Sequence, residues 1–228
     1  MIVIKNDRLR HVLRKAIPFL FIPLLIAAGA VLLKDEQYLL ISFGVALLSL
    51  LLFIAGFEKR TTGARRLVIA AVMTALCIAG RFIPLFKPIT ALTVITAIYL
   101  GGETGFLVGA LSALLSNFSF GQGPWTPFQM LAWGLIGLLA GALQEPLKKN
   151  RWLLCLFGAA CGVIYSLIMD IWTVLWYEQG LDSSLYLGAI MTALPHTVLY
   201  AVSNFLFLYL FAKPFGEKMT RIKLKYGV

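Results

Sequence analysis

Apolar runs of membrane-crossing length alternate with short polar breaks along nearly the whole chain. A helix that crosses a bilayer needs about 20 predominantly apolar residues. Runs near that length lie at 16–33, 38–57, 66–84, 128–144, 152–176 and 185–212. Two shorter runs, 88–101 and 104–117, flank Gly101-Gly102-Glu103-Thr104-Gly105. The stretch 88–117 therefore reads either as one long helix or as a hairpin broken at the glycines. The most abrupt change is SNFSFGQGPWTPFQMLAW, residues 116–133, where a loop rich in Gly and Pro carries a tryptophan between two oily segments.

Composition makes the bilayer the solvent for most of this pattern. The 228 residues are 60% hydrophobic and 13% charged, against about 45–50% and about 25% in soluble domains. A formal net charge of +10 does not point to nucleic acid, because the basic residues form no single patch. They sit in short clusters between the apolar runs, as loops at a membrane surface do.

Charge also settles the count of crossings. With eight spans and a cytoplasmic N-terminus, four segments fall on the cytoplasmic side. They hold Lys5, Arg8, Arg10, Arg14 and Lys15; Lys59, Arg60, Arg65 and Arg66; Lys148, Lys149 and Arg151; and Lys213, Lys218, Arg221, Lys223 and Lys225. These are 17 of the 20 Lys and Arg, leaving Lys34, Arg81 and Lys87. Treating 88–117 as one crossing would put the last eight of them on the wrong side. The expectation is an all-α integral membrane protein of eight spans with both ends in the cytoplasm. Residues 1–60 form a two-helix hairpin, read as a retained signal anchor, and 61–228 supply the other six helices. Loops 81–87, 117–127 and 177–184 then share the outer face.

Candidate chemistry collects on that face. Polar groups in a membrane are costly and usually serve a partner or a function. Arg81, Asn117, Gln122, Gln129, Asp170 and His196 gather there with Trp125, Trp133, Trp172, Trp176 and Tyr200. An interfacial aromatic belt accounts for a Trp or Tyr taken singly. Aromatics converging with a few placed polar groups describe a ligand pocket. Asn204, two turns deeper than His196, reads as an interhelical hydrogen bond. Ala71, Ala75 and Ala79 make a strip of small residues one turn apart that lets another helix approach closely. Gly105, Gly109 and Ala113, like Gly137 and Gly141, read as internal packing. Cys77, Cys155 and Cys161 lie in apolar runs, lack CxxC spacing and read as small buried hydrophobes. No metal-ligand cluster, GxSxG, paired carboxylates or phosphate loop with Lys occurs in the sequence, and without a Walker motif any energy from ATP must come from partners.

Residues from about 64 to 228 resemble the substrate-binding (S) component of energy-coupling factor (ECF) transporters, prokaryotic vitamin importers related to ABC transporters. The likeness rests on six helices, the Ala71xxxAla75 strip, the break Gly101–Gly109, the loop Gly121–Met130 and the basic tail. It implies a multi-pass protein of the prokaryotic plasma membrane that captures a vitamin outside. Its first helix docks through Ala71, Ala75 and Ala79 on a membrane scaffold subunit driven by two ATPases, and the protein topples to release the vitamin. It implies no permanent cofactor, only the transported ligand. The outer loops become pocket walls and lid, with Trp125 closing over the ligand. The first 60 residues depart from the six-helix pattern and stand as anchor, packing extra or scaffold contact.

The loop is most similar to S components for cobalamin or its precursors, which makes a corrinoid the expected substrate. Queuosine-type bases, riboflavin and other vitamins stay open. The rival classes are a membrane enzyme around Asp170 and His196, and a structural membrane protein in which the polar residues only pack.

Overall fold

The computed structural model describes residues 4–32, 38–56, 60–84, 86–178 and 182–227, with the side chains of 30–32, 60–62 and 176–178 left aside. Lys34, Lys59 and the side chain of Arg60 lie outside this description. Among the described residues every regular element is helical. Helix α1 (Asp7–Ala16) is capped by Asn6, whose Oδ1 accepts from the N–H groups of Arg8 and Leu9. It runs through a π-helical turn, Ile17–Phe21, into α2 (Ile22–Leu32). Pro18 and Pro23 each lack a backbone donor there, and Ile22 bonds back five residues to Ile17.

Then follow α3 (Tyr38–Ala55), α4 (Arg60–Arg81), α5 (Ile89–Leu100), α6 (Gly102–Phe120), α7 (Thr126–Ala142), α8 (Gln144–Lys149), α9 (Arg151–Glu178) and α10 (Ser183–Tyr226). Each of the eight apolar runs read from the sequence carries a helix. Among the described residues, five helical stretches are long and apolar enough to cross a membrane, and α5 and α7 are shorter apolar helices. The stretch 88–117 is a hairpin. It breaks at the single residue Gly101, whose φ of 98° suits glycine, and Gly102–Gly105 already belong to α6.

Glycine sets the closest packing in the bundle. A Cβ on Gly109 would lie 2.6 Å from the Trp133 carbonyl oxygen, one on Gly137 would lie 2.4 Å from the Gly105 carbonyl carbon, and one on Gly141 would lie 2.3 Å from the Gly102 Cα. Helices α6 and α7 thus touch backbone to backbone over three levels, the internal role expected for these strips. Gly137→Val must force them apart. Overpacking of this kind costs up to about 3 kcal/mol, a fall in melting temperature of roughly 5–10 °C for a chain of this size. A Cβ on Gly188 meets nothing within 4 Å, so Gly188→Val should leave the melt in detergent unchanged.

The hairpin α2–α3 packs on α6 and α7, and α4 packs on α5 and α6. The outward face of α4, with Ala71, Ala75 and Ala79, is exposed. Interhelical polar contacts gather the four basic segments at one end. Arg14 pairs with Glu103 at 2.5 Å, Arg65 donates to the carbonyl of Tyr226, and Lys223 is electrostatically coupled to Lys148 and Arg66.

Helix α10 departs most from expectation. Its sequence predicts a span ending near 212, yet it continues through Pro214 to Tyr226. Phe215 packs beside Phe207 and Met219 is buried, so an apolar stripe carries the helix past the missing proline donor.

Candidate functional site

At the end of the bundle opposite the basic cluster, α4 ends in Arg81, which is half-buried. Its Nη1 donates at 2.5 Å to both Ser116 Oγ and Asn117 Oδ1 near the end of α6. The guanidinium carbon lies 4.6 Å from the Phe120 ring centre and 5.9 Å from that of Trp133. It is also electrostatically coupled to the phenols of Tyr165 and Tyr200. Among the described residues no carboxylate forms an ion pair with Arg81. The cation is held by neutral oxygens and aromatic faces.

From Arg81 a directed chain of hydrogen bonds runs inward. Asn117 is fully buried. Its oxygen is taken by Arg81, so its Nδ2 donates at 2.8 Å to Thr126 Oγ1 and to Gln129 Oε1. Gln129 in turn reaches the Tyr165 side chain. The Trp133 and Tyr165 rings stack with centres 4.6 Å apart and planes 11° off parallel, and Tyr200 lies 5.4 Å from Tyr165. The Trp133 indole N–H is already used, on Thr90 Oγ1 at 3.0 Å.

The loop between α6 and α7 covers this end. Gly121 turns the chain with φ of 100°. The Trp125 ring folds back on Gly123, where a Cβ would sit 2.3 Å from its Cη2. The glycine is therefore needed for the ring to lie flat on the backbone. Pro127 falls in the first turn of α7, where the missing donor costs nothing. Thr126 ties the loop together, donating to Gln122 Oε1 at 3.0 Å, while Gln122 Nε2 donates to the Leu114 carbonyl. Trp125 meets Trp172 of α9 edge to face at 5.8 Å.

The structure thus joins Arg81, Asn117, Gln129, Trp133 and Tyr200 directly, with Gln122, Trp125 and Trp172 in the covering loop and its contact. Asp170 is buried at 7% exposure, and its Oδ2 has no hydrogen-bond partner among the described residues. His196 is exposed and joins none of these bonds. Trp176 lies outside the described side chains. Asn204 makes the interhelical bond expected of it, accepting from the otherwise unpaired Ala91 N–H at the start of α5. Ser112 is buried and His196 exposed, so the two do not form a nucleophile–base pair. Three contributors escape sequence reading: Ser116, Thr126 and Tyr165. A hydroxyl in an apolar helix ordinarily bonds its own backbone, as Ser116 does with Ser112, and nothing in the sequence marks the second bond. Tyr165 is visible as a tyrosine in an apolar helix, but its depth sets it apart from the outer group.

A family model described as ECF-type riboflavin transporter, S component, matches residues 62–220 of the chain. No curated protein and no solved structure matches it.

Proposed function

Because the chain belongs to the S components of ECF-type transporters, the vitamin-binding subunits of these multi-pass membrane assemblies, we propose that it captures riboflavin or a closely related flat, uncharged heterocycle beside Arg81. It is a transport subunit and not an enzyme, and its family works with an ECF scaffold and ATPase subunits. The observation that carries the substrate reading is the setting of Arg81, a cation with no carboxylate partner among the described residues, set among Trp133, Tyr165, Tyr200 and Phe120 and bonded to the Asn117 amide. A flat ring system stacks on such faces, and its ring carbonyls accept from guanidinium and amide donors.

Among the substrates open from the sequence, riboflavin is preferred to a corrinoid because the matching family is the riboflavin one. The sites follow from this reading. Arg81, Asn117 and Gln129 orient the ligand, Trp133 and Tyr200 wall it, and Trp125 with Trp172 closes over it. Asp170 supplies an acceptor for a ligand hydroxyl. The exposed strip Ala71, Ala75, Ala79 docks on the scaffold, and the hairpin within 1–60 packs on α6 and α7 rather than along that strip. On our reading of eight crossings with the basic end in the cytoplasm, the Arg81 end faces outside.

The purified chain should quench flavin fluorescence with one riboflavin per protein, and cobalamin should not compete. Stacking on an aromatic is worth about 1–3 kcal/mol, so Trp125→Ala should weaken riboflavin binding roughly 10- to 100-fold with the thermal melt unchanged. Saturable cobalamin binding without riboflavin binding would overturn the substrate. An unchanged affinity for Trp125→Ala would remove the lid.

A further inference from the structure

A pocket lies at the basic end, far from Arg81. It has a volume of about 540 Å³ between α5, α8, α9 and α10. Its floor is apolar and buried, formed by Ile98, Leu147, Leu154 and Ala212. Its rim carries Lys148, Lys149, Arg151, Lys213 and Arg221 against a single carboxylate, Glu217. Lys148 is engaged with Glu145 at 3.7 Å, and Arg151 lies over the Tyr209 ring at 3.9 Å and donates to its carbonyl. Among the described residues Lys149, Lys213 and Arg221 make no ion pair.

Close packing of like charges around a cavity is unfavourable unless an anion sits among them. Gly216 lets Tyr99 cross closely against α10 at the pocket wall, since a Cβ there would lie 2.1 Å from the Tyr99 hydroxyl. The depth of the pocket is marked independently. Trp152, 60% exposed, packs on Tyr209 and Phe205 on the outer surface of α9 and α10, immediately beside Arg151. Tryptophan and tyrosine on a bilayer-facing surface sit at headgroup level. A basic rim and an apolar floor at that level match one ligand chemistry, a phosphate carrying a hydrocarbon chain.

We propose that this pocket holds the headgroup of an anionic phospholipid, with the phosphate among Lys149, Lys213 and Arg221 and an acyl chain leaving past Trp152. The proposal rests on the chain's membrane location and not on its vitamin, so the two readings fail separately.

The test uses the full chain in neutral detergent, melted with added phosphatidylglycerol, phosphatidylcholine or inorganic phosphate. Phosphatidylglycerol at about a hundredfold excess over its dissociation constant should raise the melting temperature by roughly 5–10 °C, and the gain should shrink with salt. The double variant K213A/R221A should lose that gain and K213R/R221K should keep it. Riboflavin affinity, measured on the same samples, should not change between variants. Equal stabilisation by phosphatidylcholine would overturn the headgroup site. Equal stabilisation by inorganic phosphate would make it a site for soluble anions instead. No shift in the wild-type chain, or the same shift in K213A/R221A, would also overturn the proposal.

Discussion

Replacing Ala71 and Ala75 together by leucine should abolish vitamin uptake while leaving vitamin binding intact. Both residues lie on the outward face of α4 with Val68, Val72 and Leu76, and all five are exposed. The bundle therefore loses no packing when they grow. Only a partner helix lying along the strip meets the added bulk. Without a hydrophobic driving force between helices in lipid, such contacts depend on close backbone approach, and two leucines one turn apart hold a neighbour off. Uptake of labelled vitamin into cells, compared with affinity in detergent, separates the two effects. The change Val72→Leu, beside the strip, should leave both intact. If Ala71→Leu with Ala75→Leu still supports uptake, the scaffold docks elsewhere. Parallel loss of binding and uptake would mean that the strip supports the fold.

The second large effect is expected at Arg81. Truncating one partner of a buried, hydrogen-bonded charge contact costs about 2–5 kcal/mol of binding, so Arg81→Met should weaken riboflavin at least about 30-fold. Arg81→Lys keeps the charge but not the flat guanidinium that lies over the Phe120 ring, and should fall between wild type and Arg81→Met. The methionine variant also leaves the Asn117 oxygen without its donor, so each variant needs a melt beside its titration. A weaker ligand with an unchanged melt places Arg81 on the ligand. Full affinity in Arg81→Met would remove it from the site and take with it the main support for the substrate.

Much of the architecture is legible because a membrane helix announces itself by length and oiliness. The hairpin at 88–117 follows from charge, since Arg151 and the basic tail need Gly101 to turn the chain back. What escapes is decided by backbone hydrogen bonding rather than by hydropathy. The π-helical turn at Ile17–Phe21 depends on where Pro18 and Pro23 take donors away. The passage of α10 through Pro214 depends on the neighbours of Phe215 and Met219.

At the site, depth along each helix is readable and the direction of the side chain is not. Arg81, Asn117, Gln129, Trp133 and Tyr200 share both depth and face. His196 shares only the depth. Helix α10 has no buried residue before Ser203, so no packing turns that histidine inward. Thr126 shows the converse. It is a small polar residue between Trp125 and Pro127, and its hydroxyl joins Asn117 to Gln122.

The bond from Arg65 to the carbonyl of Tyr226 brings together residues 161 positions apart in the chain. The last turn of α10 therefore surfaces beside the first turns of α4, the helix that carries the alanine strip. Anything fused behind that last turn, whether a tag, a fluorophore or a neighbouring domain, is delivered to the foot of α4. If the scaffold docks on that helix as proposed, a reporter placed there senses the engagement and a bulky one obstructs it.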